Sequence, residues 1–505
     1  MTGAVLIANR GEIAIRVART CRALGMPTVA VYSDADRFAE HVRACDLAEW
    51  IGGAAPRESY LNVERVIDAA KRSGARFVHP GYGFLSERPH FAEACANAGL
   101  VFVGPSAESM RKMGDKIEAR KTVDSLGVPR VPGSPGAVPN AAEAKRFARE
   151  IGYPILLKAA AGGGGKGMRR VDSEAELEAA FDGATRESLG AFGDGSLYVE
   201  KLILEPHHVE IQVFGDGKGR AIHLGERECS IQRRHQKVWE ETPSPILDRH
   251  PETREKMFAA AVRVAEHVRY AGAGTLEFIV DGKGSFYFLE MNTRLQVEHP
   301  VSEWVTGVDL VAWQLKLAAG GFALPAVPAR SGSAIEVRLY AEDPASFLPA
   351  PGPLGLIQFP SGPFTRVDTA FTGPGEVSTH YDPMIAKVSA WAPDRVSAIA
   401  RLRAALDEVR AEPPKRADGT RAGSLRTNLT FLRRLARCEQ VMAGDTPTDL
   451  IPRNPSLTAP VQAEPTLEVA LATAVFQLLE ESESEAAGQA SSVWAMSARR
   501  EGVRA

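Results

Sequence analysis

The sequence predicts an α/β protein of several domains, and three observations carry that prediction. Short apolar segments alternate with stretches of helical periodicity up to about residue 113, the pattern of an open parallel sheet. Beyond that point glycine clusters, hairpin signals and alternating polar–apolar strands replace it. At 505 residues the chain is also too long for one ordinary core, which calls for roughly two to four domains.

The elements follow in order. Ala4 to Ala8 is a short strand, and Glu12 to Leu24 carries apolar residues at helical spacing, with Gly25 placed to end the helix. Thr28 to Tyr32, Phe77-Val78-His79 and Val101-Phe102-Val103 are further strands. After the first strand stands Asn9-Arg10-Gly11-Glu12 and not GxGxxG, so no nicotinamide cofactor is read into this half. Val209 to Val213 alternates and reads as a half-buried antiparallel strand. A mixed α/β unit runs from Ala334 to about Asp449, and 411–424 (AEPPKRADGTRAGS) reads as an exposed loop. After Pro452-Arg453-Asn454-Pro455 comes a linker. An amphipathic helix with Leu467, Leu471, Val475 and Leu478 on one face follows, then an acidic, Ser-rich stretch. The expected domains are 1–113, 114–330, 331–450 and a tail over 451–505.

Bulk properties narrow the function. An apolar fraction of 44% with 24% charged residues is that of a soluble globular protein. A formal charge of −3 argues against a nucleic-acid binder working by phosphate neutralisation. The 5 cysteines are scattered and form no CxxC pair, which fits a reducing compartment. With no signal peptide and no apolar run of membrane-spanning length, a cytoplasmic protein without membrane partners is expected.

Four clusters carry chemistry. Ala161-Gly162-Gly163-Gly164-Gly165-Lys166-Gly167 follows the strand Pro154 to Lys158; its backbone N–H groups could wrap phosphate oxygens, with Lys158 beside them. Taken alone the run serves as well for a linker, and it is not a Walker A loop. Thr275 to Val280 and Ser285 to Met291 flank the turn Asp281-Gly282-Lys283-Gly284. This hairpin pairs 280 with 285 and so 277 with 288, leaving Glu277 diagonal to Glu290. Their side-chain bases are then at most roughly 7–8 Å apart, close enough to share Mg²⁺. Asn292, Arg294, Gln296 and Glu298 continue at even spacing. In an extended chain they share the face of Glu290, offering an amide, a guanidinium for an oxyanion and a general base. Arg233-Arg234-His235-Gln236-Lys237 is a basic cluster that can hold phosphates or a carboxylated intermediate, although taken alone such a run reads first as a solvated surface. Cys229 reads as a buried residue, and His79-Pro80-Gly81-Tyr82-Gly83-Phe84 as a strand closing in a tight turn.

With these residues on the page, roughly residues 1–450 resemble the biotin carboxylase subunits and domains of biotin-dependent carboxylases, within the ATP-grasp superfamily. The matching stretches include Ile7 to Ile13, His79 to Glu87, Met113 to Lys116, His208 to Gln212, Glu290 to Pro300 (EMNTRLQVEHP), Arg338 to Asp343 and Tyr381 to Ile385. The resemblance implies an N-terminal parallel α/β domain, a central ATP-grasp domain with a mobile lid over about 131–204, and a C-terminal mixed α/β biotin carboxylase domain. It implies that Lys116, Lys158 and His208 contact the ATP phosphates, that Gln232, His235 and glycines Gly163, Gly164 and Gly165 of the closing loop belong to the ATP site, and that Glu200, Lys201 and Ile203 lie at the adenine. Glu277, Glu290 and Asn292 would bind two Mg²⁺ ions, or Mn²⁺. Arg294, Gln296 and the Val297 backbone would grip bicarbonate and Glu298 would take its proton. Lys237 and Arg338 would face the carboxyphosphate, and Tyr82 with Arg338 the biotin.

The implied reaction is ATP-dependent carboxylation of biotin. No Ala-Met-Lys-Met biotinylation motif occurs, so biotin is expected on a separate carrier protein, with a carboxyltransferase subunit as further partner and a homodimer as the assembly. Two other readings stay open on the residues alone: a different ATP-grasp ligase, and a subunit that keeps the fold without turnover.

Overall fold

In the computed structural model, residues 2–159, 168–234, 236–417, 419–460 and 475 are described, with Lys116, Ile117, Ala191 and Phe192 described by their backbone only. The glycine loop with Gly163, Gly164 and Gly165, the residue His235, and Leu467, Leu471 and Leu478 of the expected tail helix lie outside the described residues.

The first sheet is built from β1 (Ala4–Ile7), β2 (Thr28–Ser33), β3 (Leu47–Gly52), β4 (Ala75–His79) and β5 (Val101–Phe102), ordered β3-β2-β1-β4-β5 and parallel throughout. β1 is apolar at every position because both its faces are covered. Val5 and Ile7 pack with Ile13 and Val17 of the helix Gly11–Ala23. Leu6 faces the other way, towards Val66 and Ile67 of Val63–Arg72 and Phe91 of Pro89–Asn97. Gly25 takes φ +67 just past the first helix, the left-handed stop its position predicts.

A small antiparallel sheet follows, from β6 (Ile155–Ala159), β7 (Met168–Val171) and β8 (Leu197–Lys201), ordered β7-β6-β8. Helices Ala141–Ile151 and Glu174–Phe192 cover it around a core that includes Ala144, Ala148, Ile155, Leu157 and Phe181.

The largest sheet joins β9 (His207–Asp216), β10 (Ala221–Glu228), β13 (Trp239–Thr242), β14 (Ala271–Val280), β15 (Phe286–Asn292), β16 (Ser333–Tyr340), β19 (Thr365–Thr369) and β21 (Met384–Ala392). Its order is β15-β14-β9-β10-β13-β16-β21-β19, all antiparallel. The sheet runs unbroken through the boundary expected near residue 330. A ribbon of β11 (Gln232–Arg233) and β12 (Gln236–Lys237) lies between β10 and β13 in the chain. Two more pairs join β17 (Gly352–Leu354) to β20 (Gly375–Val377) and β18 (Leu356–Gln358) to β22 (Arg410–Glu412). By its internal packing the chain divides into residues 1–458 and 459–505.

Four expectations are corrected. β9 is buried on both faces, not one: Glu210 and Gln212 are as enclosed as Val209 and Ile211, because the polar face closes over the site described below. In the hairpin, Val280 pairs with Phe286 and Glu277 with Glu290 directly. The turn takes one more residue, with Asp281 accepting from the Lys283 and Ser285 N–H groups, and a bulge leaves Leu289 unpaired. The chain does not stay extended from 290 to 298. Glu87 accepts the Thr293 N–H (2.9 Å) and the Arg294 guanidinium (2.9 Å), drawing it off the sheet, and a helix opens at His299 with Pro300 in its first turn. Finally, the loop expected over 411–424 begins later, since residues 411 and 412 pair with β18.

Candidate active site

The polar face of β9 and β14 supplies the floor. His208, Glu210 and Gln212 share one side of β9 by strand alternation, opposite Glu277 of β14. Arg227 of β10 is wholly buried. It bonds the Glu210 carboxylate, Gln212 Oε1 (2.7 Å), Thr275 Oγ1 (3.1 Å) and Ser302 Oγ (2.9 Å). A guanidinium so satisfied can stay charged without water.

Lys237, at the end of the short ribbon, places its ammonium among three carboxylates: Glu210 Oε2 at 2.6 Å, Glu298 Oε1 at 2.7 Å and Glu277 Oε1 at 2.9 Å. Burial opposes its charge, but the carboxylates outweigh it and hold its pKa well above the ordinary lysine value. Burial likewise opposes ionised Glu298, and Lys237, Arg338 and Arg227 together reverse that, holding it well below the usual carboxylate range. Glu277 is lowered against burial by Lys237 and by His208, whose Nε2 lies 3.0 Å from Oε2. Arg338 of β16 spans two acids, with Nε to Glu240 Oε1 at 2.6 Å and Nη2 to Glu298 Oε2 at 3.0 Å.

The row after β15 converges on the same point despite leaving the sheet. Asn292 Nδ2 (2.8 Å) and Gln296 Nε2 (3.1 Å) both donate to Glu277 Oε1. Arg294 donates to Asn292 Oδ1 (2.8 Å) and Gln296 Oε1 (2.6 Å). Glu298 sits just before the helix His299–Thr306, 1% exposed. Glu290 faces Glu277 across the strand pair and is exposed.

A cavity of about 1180 Å³ opens beside this floor. Arg294, Val297 and Arg338 line one wall, Tyr82 and the turn after β4 another, and residues 370–378 close it. Asn9 fixes that turn by donating Nδ2 to the Pro80 and Tyr82 carbonyls (both 2.7 Å), and the Tyr82 hydroxyl donates to Glu12. Gly81 stands at φ +62 with Asn9 Nδ2 2.9 Å from where a Cβ would lie, so only glycine fits there.

Of the other expected residues, Lys158 on β6 is paired with Glu200 on β8. Lys201 turns its ammonium onto the Gly152 (2.9 Å) and Tyr153 (2.8 Å) carbonyls, and Ile203 is half-buried. Gln232 donates to the Cys229 carbonyl at 2.9 Å. Lys116 opens the helix Lys116–Ser125. Cys229 is buried beside Glu210, and burial pushes its thiol well up, away from nucleophile behaviour. Glu210 and Glu240 were not singled out as site residues. The alternation His208-Val209-Glu210 could have revealed the first; nothing local marks the second.

Sequence models of three domains match in order. These are the biotin carboxylase N-terminal domain over residues 1–110, the carbamoyl-phosphate synthase L chain ATP-binding domain over 115–326, and the biotin carboxylase C-terminal domain over 336–453. Biotin carboxylase 2 of Bacillus subtilis is 48% identical over 450 residues, covering 88% of this chain and 98% of that protein. The chain belongs to the biotin carboxylase family. It is an ATP-dependent ligase with the three-domain architecture of that family. Mitochondrial methylcrotonoyl-CoA carboxylase subunit alpha of Rattus norvegicus is 46% identical over 488 residues, covering 96% of this chain; the chain spans 66% of that longer relative. Among solved biotin carboxylases, the β-γ-ATP complex from Campylobacter jejuni superposes with a TM-score of 0.81 at 44% identity, covering 89% of this chain and 98% of its own. The biotin carboxylase domain dimer of Hydrogenobacter thermophilus 2-oxoglutarate carboxylase, with MgADP, ADP and bicarbonate, does so at 0.82 and 43% identity, covering 92% and 100%.

Proposed function

We propose that this chain transfers a carboxyl group from bicarbonate to biotin on a carrier protein, with ATP hydrolysed to ADP and phosphate, and that the residues gathered above carry the reaction. The observation that carries this is the position of Glu298. It is ionised between Lys237 and Arg338, directly behind Val297 and Arg338, which with Arg294 line a cavity large enough for a bicyclic ureido ring.

Arg294, Gln296 and the Val297 N–H grip bicarbonate as a planar oxyanion. Glu298 takes its proton. With its pKa depressed it is ionised but a weak base. Nucleotide phosphates compete for Lys237 and Arg338, and each contact they take returns Glu298 towards the ordinary carboxylate range. The deprotonated bicarbonate attacks the γ-phosphate to give carboxyphosphate, with Lys237 spreading the charge. Carboxyphosphate releases CO₂ and phosphate, the phosphate removes the biotin N1′ proton, and Arg338 steadies the enolate-like ureido oxygen beside Tyr82. Glu277 and Glu290 fit Mg²⁺, or Mn²⁺, as opposed hard-oxygen donors with Glu277 held ionised and Asn292 bonded to it. Two such ions neutralise phosphate charge when bound.

Lys116, Lys158, His208, Gln232, His235 and the glycine loop Gly163–Gly165 would hold ATP, with Glu200, Lys201 and Ile203 at the adenine and 131–204 as lid. The domain limits 1–113, 114–330, 331–450 and 451–505 belong to the same reading. So do a biotin carboxyl carrier, a carboxyltransferase subunit, a homodimer and a cytoplasmic setting. Among the described residues no helix is long and apolar enough to cross a membrane. The test is ATP hydrolysis by the purified chain. Dependence on bicarbonate and stimulation by free biotin are expected; turnover indifferent to both would sink the proposal.

A further inference from the structure

Behind the anion grip lies a cation that the reaction does not use. Lys387 of β21 has a side chain of 0% exposure, and its ammonium donates to the Val297 carbonyl at 2.7 Å. Its strand neighbours are Arg338 on β16 and Asp368 on β19, both directly in register. Two like charges on paired residues normally repel. Here carboxylates surround them: Glu12 lies 3.6 Å and Asp368 3.9 Å from Lys387, and Glu240 and Glu298 flank Arg338. Burial opposes the lysine's charge, and Glu12, Glu336 and Asp368 overcome it and raise its pKa.

The consequence is local and geometric. Arg338 holds the side chain of Glu298, while its cross-strand neighbour Lys387 holds the carbonyl of the preceding residue. One step earlier, the Gln296 carbonyl accepts from His299 Nδ1 at 2.7 Å. The carbonyls on both sides of the Val297 N–H are thus anchored from the protein interior. Val297 itself lines the cavity. Neither peptide can rotate without leaving a buried acceptor or a buried ammonium unpaired.

We infer that Lys387 is a positioning residue for bicarbonate: it fixes the 296–298 turn so that the Val297 N–H, Gln296 and Glu298 meet the anion together. The same ammonium ties this turn, through Glu12, to Tyr82 on the opposite cavity wall. The inference rests on the bicarbonate role proposed above.

The test compares wild type with Lys387→Met and with the double variant Lys387→Met/Glu12→Gln. The double variant removes the cation together with its neighbouring carboxylate and leaves an amide oxygen for the Tyr82 hydroxyl. Steady-state ATP hydrolysis gives KM for bicarbonate and for ATP, and thermal unfolding reports the fold. The expected result is a bicarbonate KM raised about tenfold or more, with KM for ATP within about twofold. A cooperatively folded variant whose bicarbonate KM stays within about twofold of wild type overturns the inference and leaves the proposed function standing. Failure of both variants to fold also overturns it, since Lys387 would then be a structural group. A wild-type chain without bicarbonate-dependent turnover removes the proposed function itself, and this inference with it.

Discussion

The small sheet β6–β8 with its two helices and the floor of the large sheet use the same ion pairs for opposite ends. Around the small sheet, Arg149 pairs with Glu174, Lys145 with Glu178, and Arg146 with Glu143 and Glu150, all on the outside. Its core is small, with alanines at Ala144, Ala148, Ala159 and Ala184. On the floor, Arg227 and Glu210 are both at 0% exposure and Glu298 at 1%. Exposed pairs are screened and are replaced by water at little cost. Buried pairs cannot be separated without stranding a charge. The lid role proposed for the small sheet is compatible with the first kind; the proton and anion roles proposed for the floor need the second.

The sharpest way to break this comparison is Lys237→Met. Three buried carboxylates lose their shared counter-charge, and removing one partner of such a group costs about 3–5 kcal/mol. Denaturant unfolding should show that loss, with ATP turnover abolished. A stability within error of wild type would mean that the floor charges are as replaceable as surface ones.

Glu298→Gln comes next and separates chemistry from stability. The amide still accepts from Lys237 or Arg338, but it cannot take a proton. Bicarbonate-dependent turnover should fall by about 10²–10⁴-fold with nucleotide affinity retained. Unchanged turnover would remove Glu298 from the reaction.

A third test uses pH. Burial raises Glu240 to about 7 against the pull of Arg338. Its folded pKa therefore exceeds the unfolded value, so its contribution to stability is full below about 4.5 and is lost as pH rises through about 7. Glu298 runs the other way: its contribution is full above the ordinary carboxylate range and is lost only as pH falls well below it. Between about pH 5 and pH 8 the decline thus comes from groups like Glu240, with Glu12 and Glu342 also raised to about 7 by burial. In Glu240→Gln, melting temperatures over that interval should fall less steeply than in wild type. Equal slopes would show that Glu240 stays ionised throughout.

What could be read from sequence follows the range of the forces involved. β1, the helix after it and the Gly25 stop are written in adjacent residues, and the structure has them within a residue or so of expectation. The row Asn292, Arg294, Gln296 and Glu298 was legible as a set of chemical types, yet it converges through a bend and a helix start and not through an extended strand. That bend depends on Glu87, more than 200 positions away. The direct facing of Glu277 and Glu290 depends on a bulge at Leu289 that alternation cannot signal. Glu240 and Lys387 acquire their roles only when β13, β16 and β21 lie side by side, which brings together residues 98 positions apart in one case and 90 in the other. Local patterns indicate which elements form, but not which distant carboxylate will neutralise which buried cation.

The smallest expected effect sharpens the comparison from its other side. Arg149 and Glu174 join two helices of the small sheet, with side chains 67% and 40% exposed. By geometry the pair is as close as any on the floor, and on contact distance alone it would count as strong. In water each partner keeps most of its hydration, and ordering two long side chains offsets the Coulomb gain. Arg149→Ala should therefore leave the unfolding midpoint and the bicarbonate-dependent turnover unresolved from wild type, at low salt and at high. A clear loss of stability that disappears at high salt would show that charge does hold the small sheet together. The division between exposed and buried pairs would then be one of degree.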